Sequence, residues 1–337
     1  MEQHNTKISI LVAVYNAEPF LHQCLNSLKE QTLHDIQIIM VDDASTDRSL
    51  SILEAYAKED NRFVVLRQSI NQGQAVARNC AVKAASGLFM TMVDADDWLA
   101  PDALEKAWNV VEEHPNTDAV LFDLIKFYED NSYKAYWKEP GGGLFPSDGM
   151  LRGQEAMEKS LEWGLHGLYI VRSDIQRHYP YDATCRLYSD DNTTRIHYLH
   201  SREVRFCTGR YFYRQHEESC TGRITPLYFE SLSAQHHLHK MLIDEGIDPT
   251  IINRYERYRW LQLVDNCYYL SLHHNAFTYE ERRTAKDKIH SAWCSFHRSD
   301  IAFSARSKFG YCHCHLFPLF WLQEHAYFGL RRLFHIL

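Results

Sequence analysis

The sequence predicts a doubly wound α/β domain, with a mostly parallel sheet flanked by helices, followed by an α-helical C-terminal extension. Two patterns carry this prediction. Short apolar runs rich in β-branched residues suit strands that are buried on both faces of a parallel sheet. Between these runs, apolar residues recur at helical spacing, and such strand–helix alternation is typical of α/β domains. The predicted strands are residues 8–14, 36–41, 63–66, 88–93 and 119–122.

Helical spacing of apolar residues predicts a helix in each connection, and Pro101 suits the first position of the fourth one. Residues 204–207 and 211–213 predict a hairpin or a pair of strands, and long helical patterns follow over 232–243, 255–272 and 279–296. We therefore expect the chain to divide into the segments 1–222, itself made of halves 1–125 and 126–222, and 223–337.

Composition narrows the class of protein. The 337 residues are 45% hydrophobic and 24% charged, which is ordinary for a globular protein with a sizeable core. The formal net charge of -8 disfavours nucleic-acid binding, because phosphate contacts need clustered Lys and Arg. The nine cysteines are an odd number without a disulfide framework, so we expect reduced thiols and a cytoplasmic protein. Neither a signal segment nor a run of about 18 apolar residues is found.

Polar and acidic residues follow the apolar strands, at the edge where open parallel sheets bind ligands. Neither a dinucleotide-binding Gly-x-Gly-x-x-Gly nor a phosphate-binding Gly-x-x-x-x-Gly-Lys-Ser/Thr follows the first strand, so these two nucleotide-binding motifs are excluded. The polar strand ends are residues 13–16, 42–47, 67–73 and 94–97.

Three carboxylates, Asp94, Asp96 and Asp97, stand within four residues after the fourth strand. They repel one another unless something positive lies among them. A divalent cation with oxygen ligands meets that need and leaves positions open for phosphate oxygens. The alternative is a solvated acidic turn that caps the next helix, and Asp97 is the residue expected to act as such a cap.

Two other acidic segments have the same two interpretations. After the second strand, a buried carboxylate could accept a hydrogen bond from a pyrimidine ring, whereas Thr46 or Asp47 could simply cap the next helix. Later in the chain, Asp190 and Asp191 could supply a general base, or could be an ordinary acidic pair in the first turn of a helix.

Taken together, these segments resemble the large family-two inverting glycosyltransferases with the A-type, Rossmann-like fold. Five linked motifs in matching order and spacing carry the resemblance, which is clear to about Asp123 and thinner to about Thr221. The matching segments are 10–18 (ILVAVYNAE), 24–28 with Gln31-Thr32, 38–47 (IIMVDDASTD), Asn71-Gln72-Gly73 with Ala77-Arg78-Asn79, and 93–97 (VDADD).

The resemblance implies a nucleotide-diphospho-sugar donor, commonly a UDP-sugar, and Mn or Mg as cofactor. It also implies roles for individual residues. Asp191 would be the catalytic base. Tyr15 would pack on the nucleotide base beside Ala13, with Glu18 and Asp43 as further nucleotide contacts and Asp43 on the uracil ring. Arg78 would lie near the diphosphate or the sugar. Asp94 and Asp96 would be the ribose and metal residues, with Asp96 the best metal ligand, and His216 would be a further metal or diphosphate contact.

The sequence departs from the family pattern at three places. Ala44 replaces a common glycine, residues 163–169 lack the lysine of the usual Trp-x-Lys-Leu-Tyr, and Asp190-Asp191 replaces the commoner Glu-Asp. These departures concern the acceptor site and the base more than the donor site. The implied reaction is a single displacement that inverts the configuration of the sugar, in surface polysaccharide or lipopolysaccharide synthesis.

Two other functions are alternatives to glycosyl transfer. A sugar nucleotidyltransferase usually needs a Gly-rich basic loop after the first strand, which is absent here. A non-catalytic sugar-nucleotide-binding protein would have lost some of the carboxylates, and all of them are present. For the glycosyltransferase, the partners would be a nucleotide-diphospho-sugar donor and a saccharide or lipid-linked saccharide acceptor, with a homodimer as a further expectation.

The C-terminal tail raises two separate questions. Cys312-His313-Cys314-His315 has metal-ligand residue types, but it lacks the paired Cys-x-x-Cys spacing of structural zinc sites. Residues 317–337 combine aromatic residues with Arg331 and Arg332. This segment could lie on a membrane surface, at the inner face of the membrane, or it could pack on the catalytic domain or on a second subunit.

Overall fold

The structure is a computed structural model that describes residues 6–137, 143–146, 149–216, 223–296 and 316–333. The chain separates into two compact units, Met1–Ser219 and Cys220–Leu337, and this division lies close to the boundary expected between 222 and 223. The Cys312–His315 segment lies outside the described residues.

Unit 1 contains one sheet, and apolar strands alternate with helices along its first half. The described strands are β1 (Ile8–Val14), β2 (Ile36–Asp42), β3 (Phe63–Arg67), β4 (Phe89–Met92), β5 (Trp98–Leu99), β6 (Thr117–Tyr128), β7 (Tyr133–Ala135), β8 (Met150–Arg152), β9 (Tyr169–Arg172) and β10 (Glu203–Gln215). The helices are α1 (Glu18–Lys29), α2 (Ser49–Glu59), α3 (Gln74–Ala84), α4 (Ala103–Glu113), α5 (Gly153–Ser160), α6 (Ser173–His178) and α7 (Ser189–Leu199).

The strand order is β3-β2-β1-β4-β9-β6-β10-β5, with β7 on β6 and β8 on β10. The strands from β3 to β4 pair in parallel, and the antiparallel pairings come in the second half of the sheet. This α/β sheet with flanking helices confirms the predicted fold class. Because β1, β2 and β4 are parallel, their carboxyl ends lie at one edge and bring the residues that follow them together.

The core of unit 1 follows from the apolar pattern. Every residue of β1 except Ala13 is buried, and β2 is buried apart from Gln37. Helix α1 turns Leu21, Cys24, Leu25 and Leu28 inward at helical spacing. Each such side chain contributes about 1.5–3 kcal/mol on burial, so the central strands are held rigidly and their carboxyl ends are fixed in position.

Two predicted boundaries in unit 1 are wrong. The segment expected to form a hairpin is a single strand, β10, with a register shift between Phe206 and Arg210 in place of a turn. Gly209 lies in this irregular stretch, where a Cβ atom would come 2.6 Å from the carbonyl oxygen of Ala103, so only glycine fits. Pro101 is not the first helical residue, because α4 begins at Ala103.

Unit 2 is helical in its described part, as the long periodic segments predict. Its elements are two short 3₁₀ helices (Pro226–Phe229 and His274–Ala276) and the helices α8 (Glu230–Asp244), α9 (Pro249–Leu272), α10 (Tyr279–Cys294) and α11 (Phe317–Leu333). None of the described helices is long and apolar enough to cross a lipid bilayer. Aromatic side chains fill much of the core of this unit, among them Phe229, Trp260, Trp293 and Phe320.

Candidate active site

The edge formed by the carboxyl ends of β1 and β2 carries the first group of predicted site residues. The amide of Asp43 donates to the carbonyl of Val14 at 2.8 Å, so the ends of the two strands are joined. Tyr15 is next in the chain and remains 50% exposed, an unusual position for a large aromatic ring. Ala13 is partly buried beside it. The edge therefore presents a flat apolar surface that suits a nucleobase.

The Asp43 carboxylate is buried and holds the neighbouring loop. One oxygen accepts from the amide of Gln72 at 2.8 Å and the other from the amide of Gly73 at 2.7 Å. Gly73 has a φ of +92°, a conformation that glycine adopts without steric cost. Each carboxylate oxygen keeps a second lone pair, so this arrangement still allows Asp43 to accept from a ligand N–H.

We expect Asp43→Ala to lower the free energy of unfolding by about 1–3 kcal/mol, because two amides lose a charged acceptor. Donor affinity should fall as well, since the loop at Gln72 and Gly73 is released. Chemical denaturation and donor titration measure the two effects. Asp43→Asn keeps one acceptor oxygen and should be milder; equal stability of all three proteins would contradict the anchoring role.

The turn after β2 contains Ala44, which stands where the family commonly has glycine. Ala44 has a φ of +59°, in the left-handed region that favours glycine. Asp47 accepts from the amides of Ser49 and Glu18, the first residues of α2 and α1, at 2.9 and 3.1 Å. The expectation that Asp47 helps to start a helix is therefore confirmed, and it does so for two helices.

Glu18 is oriented by a partner on the protein. Its carboxylate accepts from the backbone amide of Arg48 at 3.0 Å and forms an ion pair with the Arg48 side chain. These hydrogen bonds from Arg48 lower the pKa of Glu18 below its ordinary value. In this structure the Glu18 carboxylate therefore binds Arg48, the residue before α2. A nucleotide contact by Glu18 stays a prediction.

The three carboxylates after β4 have different surroundings. Asp94 is paired with Arg78, whose Nη2 lies 2.7 Å from its Oδ1, and the Arg78 side chain is almost fully buried. Asp96 is paired with His216 at the end of β10, with 2.9 Å between Oδ2 and Nε2. The described contacts therefore form two pairs at one edge of the sheet, and both pairs contain residues predicted from the sequence.

Asp97 is not the helix cap that the sequence suggested. It is buried and accepts from the Tyr211 hydroxyl and the Arg214 amide, both at 2.8 Å. The reason is that the short strand β5 follows Asp97 and pairs with β10, so the next helix starts only after Asp102. Asp97 therefore anchors the acidic turn to β10.

Burial disfavours the ionised forms of the carboxyl groups in this cluster. Burial and the charge of Asp94 raise the pKa of Asp96, although the His216 hydrogen bond opposes this change. Burial and the two neighbouring carboxylates raise the pKa of Asp97 well above its ordinary range. Nδ1 of His216 is buried and has no hydrogen-bond partner among the described residues. Asp96 Oδ2 and His216 Nε2 lie side by side, so these two atoms, and not the buried Nδ1 on the far side of the ring, could together hold a cation such as Mn²⁺, which accepts both ligand types.

Asp190 and Asp191 lie in the first turn of α7, which begins at Ser189 after Tyr188, a residue with a φ of +66°. Burial raises the pKa of Asp191 to about 7, against the opposing charge of Arg195 and with a smaller contribution from Asp190. Burial alone would lower the pKa of Arg78, but the charges of Asp94 and Asp190 raise it, so the charge of Asp190 acts on Arg78. No described contact joins Asp191 to Asp94 or Asp96.

Sequence reasoning missed several residues that build this site. The Tyr211 hydroxyl accepts from the Asp94 amide at 3.2 Å as well as donating to Asp97. Nε of Arg214 donates to the carbonyl of Asp96 at 2.8 Å. Arg186 donates to the side chain of Asn71 at 2.8 Å. No role was predicted for Arg214, and no local pattern pointed to Tyr211 or Arg186.

The comparisons with known proteins agree with this geometry. The family described as Glycosyl transferase family 2 matches residues 9–169. EpsH of Bacillus subtilis, a protein named as a glycosyltransferase, is 33% identical over 269 residues, which are 75% of this chain and 72% of EpsH. The chain belongs to glycosyltransferase family 2.

This family 2 glycosyltransferase also has relatives that match over a shorter segment. The poly(ribitol-phosphate) beta-glucosyltransferase of Bacillus spizizenii is 43% identical over 136 residues. That match covers 40% of this chain and 21% of the relative.

Among solved structures, Staphylococcus aureus TarS 1-349 in complex with UDP-GlcNAc superimposes with a TM-score of 0.71 at 18% identity. The match covers 98% of this chain and 91% of the TarS chain. The TarS likeness shows that the glycosyltransferase shares the A-type fold.

Proposed function

We propose that this family 2 glycosyltransferase moves a sugar from a UDP-sugar to a hydroxyl group of a saccharide or lipid-linked saccharide, with inversion and with a bound Mn²⁺ or Mg²⁺. The observation that carries the proposal is the acidic edge after β4. There, Asp94 is paired with buried Arg78, and Oδ2 of Asp96 lies 2.9 Å from Nε2 of His216, so the latter two atoms are placed to hold one cation between them. This edge adjoins the ends of β1 and β2, where Tyr15 is exposed.

Each part of the donor has a matching group on the protein. The exposed Tyr15 ring offers a stacking surface for uracil, and Asp43 can accept from the uracil N–H while it holds Gln72 and Gly73. Arg78 is fixed by Asp94 and supplies positive charge to the diphosphate. Asp96, with His216, would hold the metal. A divalent cation bound there would offset the negative charge that develops on the departing nucleoside diphosphate.

The proposed chemistry is one displacement. The Asp191 carboxylate takes the proton of the acceptor hydroxyl as that oxygen forms a bond to the anomeric carbon. The bond from the anomeric carbon to the diphosphate oxygen breaks at the same time, and both bonding electrons leave with the diphosphate. Attack from the opposite side inverts the configuration. A carboxyl whose pKa is raised toward neutrality suits this proton transfer.

The comparisons support the substrate class. One relative is named for glucosyl transfer to poly(ribitol phosphate), and TarS was solved with UDP-GlcNAc. By analogy, we place this enzyme in the synthesis of a surface polysaccharide, at the cytoplasmic side of the membrane.

A panel of nucleotide sugars tests the proposal. We expect one UDP-sugar to bind and to release UDP slowly in the presence of Mn²⁺ or Mg²⁺, and a chelator to abolish both effects. Isothermal titration measures binding, and a coupled assay measures UDP release. Absence of binding to every nucleotide sugar, with or without metal, would overturn the proposed donor class.

Membrane contact by residues 317–337 and a homodimer stay predictions. In its described part, α11 leaves Leu319, Leu322 and Leu330 about half exposed or more, while Phe320 and Phe328 are buried. We expect the full chain to sediment with anionic liposomes and a chain without residues 317–337 to stay in the supernatant. Equal sedimentation of the two proteins would contradict a membrane role for this segment.

A further inference from the structure

Arg195 lies one helical turn after Asp191 and is almost completely buried, with 3% of its side chain exposed. Its guanidinium is held from several directions. Nη1 donates to the backbone carbonyl of Asp191 at 2.8 Å, and Nη2 donates to the backbone carbonyl of Ser160 at 2.9 Å. The plane of the group lies over the Trp163 ring, 3.9 Å from its centre. A buried cation with this many fixed contacts has a defined position.

The segment that holds Arg195 is itself conformationally strained. Trp163 has a φ of +59°, which is rare for a bulky residue, and its carbonyl accepts from the Tyr136 hydroxyl at 2.7 Å. Gly164 follows, where a Cβ atom would come 2.6 Å from the carbonyl oxygen of Lys159. Such strain persists only where surrounding contacts enforce it, and it is concentrated at functional sites. Here its result is an aromatic ring placed flat against the Arg195 cation.

Arg195 is close to the Asp191 carboxylate without forming a hydrogen bond to it. The distance from Nη1 to Oδ1 is 3.9 Å, and no hydrogen bond to either carboxylate oxygen is formed within the described parts of the chain. The positive charge therefore acts on the carboxylate while the oxygen lone pairs stay open to accept a proton. A direct hydrogen bond from Arg195 would instead occupy one of those lone pairs.

We propose that Arg195, clamped by Trp163 and the Ser160 carbonyl, is a positioning residue that keeps the Asp191 carboxylate ionised and open for proton transfer from the acceptor. The inference rests on the proposed function, because it assumes that Asp191 is the base. It adds a residue to that function, since neither the sequence motifs nor the comparisons assign a role to Arg195 or Trp163.

The charges around Asp191 agree in direction with this role. Burial raises the pKa of Asp191, Arg195 lowers it, and Asp190 raises it slightly. Both charged groups belong to α7. The last residue of α5 presents the Ser160 carbonyl, and the segment after α5 presents the Trp163 ring; both groups are uncharged. The Tyr136 hydroxyl donates to the carbonyl of Trp163. Arg195 is thus the cation that opposes the cost of burying this carboxylate.

The test is the pH dependence of sugar transfer at saturating donor for wild type, Arg195→Met and Arg195→Lys. Loss of the Arg195 charge should move the acid limb of the pH–rate profile to higher pH by about one to two units. The Met variant should then be about 5- to 50-fold slower at pH 7 and should recover at higher pH. The Lys variant keeps the charge, so its limb should stay near that of wild type. Arg202→Gln, which removes an exposed arginine paired with Asp118, is the matched control.

Two further measurements keep the outcomes distinct. Donor affinity and thermal melting report whether each variant is folded, and Trp163→Leu replaces Arg195→Met if that protein does not fold. The leucine variant keeps both charges but loosens Arg195, so a smaller upward shift is expected. An unshifted limb in folded Met or Leu variants would overturn the role of Arg195 alone. Retained activity in Asp191→Asn would instead refute the base assignment in the proposed function.

Discussion

Replacing Asp191 by asparagine should slow sugar transfer by about 10²–10⁴-fold, the range that general-base catalysis contributes, and should leave donor affinity near that of the wild type. The amide keeps the size of the carboxyl group but cannot take the acceptor proton. Transfer is measured by product formation, and donor binding by titration. Asp190→Asn is the matched control because it changes the adjacent carboxyl, whose charge acts on Arg78.

The two variants separate the roles of the acidic pair. Loss of donor binding in Asp191→Asn would argue against a base role for Asp191. Full activity in Asp191→Asn together with inactivity in Asp190→Asn would transfer the base role to Asp190. Loss of transfer at unchanged donor affinity in Asp191→Asn alone is the result that we expect.

The pH profile of the wild type follows from the same carboxyl. Asp191 must be deprotonated to act as a base, and burial raises its pKa to about 7. The rate should therefore be maximal above this pH and should fall about tenfold for each unit below it. A pKa near the ordinary carboxyl value would instead place the acid limb near pH 4.

Replacing Asp96 by alanine should abolish the metal dependence of donor binding and lower UDP release at least about 100-fold, since metal-assisted stabilisation of a leaving group contributes several kcal/mol. Asp96 is the carboxylate paired with His216, and it also lies beside Asp94. Titration of donor with and without Mn²⁺ measures the effect.

Asp97→Asn is the control for this substitution, because Asp97 accepts from Tyr211 and Arg214 and is not expected to bind metal. It should lower stability more than it changes the metal requirement. If Asp96→Ala keeps metal-dependent binding, the metal ligand lies elsewhere in the edge, and His216→Ala then tests the second predicted ligand.

The sequence predicted many of the residues that meet at the carboxyl ends of β1, β2 and β4, for a simple reason. Apolar runs reveal buried parallel strands, and the residues after such strands must meet at one edge. This rule placed Tyr15, Asp43 and Asp94 in one region without any knowledge of tertiary contacts. It also predicted β2 to within one residue, because Ile, Val and Met leave little doubt about a strand buried on both faces.

Long-range contacts could not be predicted in this way. Tyr211 and Arg214 reach the acidic turn across 114 to 118 residues, and no local spacing encodes such a pairing. Asp97 was misread because a strand of two residues, β5, has no periodicity to detect. Arg195 was missed because a buried cation on a polar helix can be recognised only when its partners Trp163 and Ser160 are seen beside it.

The Tyr211 hydroxyl has a consequence for how the protein matures. It ties the start of the acidic turn to its end from a strand that is among the last parts of unit 1 to leave the ribosome. A nascent chain that ends before β10 already contains β1, β2 and β4. Its acidic turn, however, lacks the Tyr211 hydroxyl and the imidazole of His216. We therefore expect the acidic turn to reach its final conformation only when synthesis of unit 1 is nearly finished.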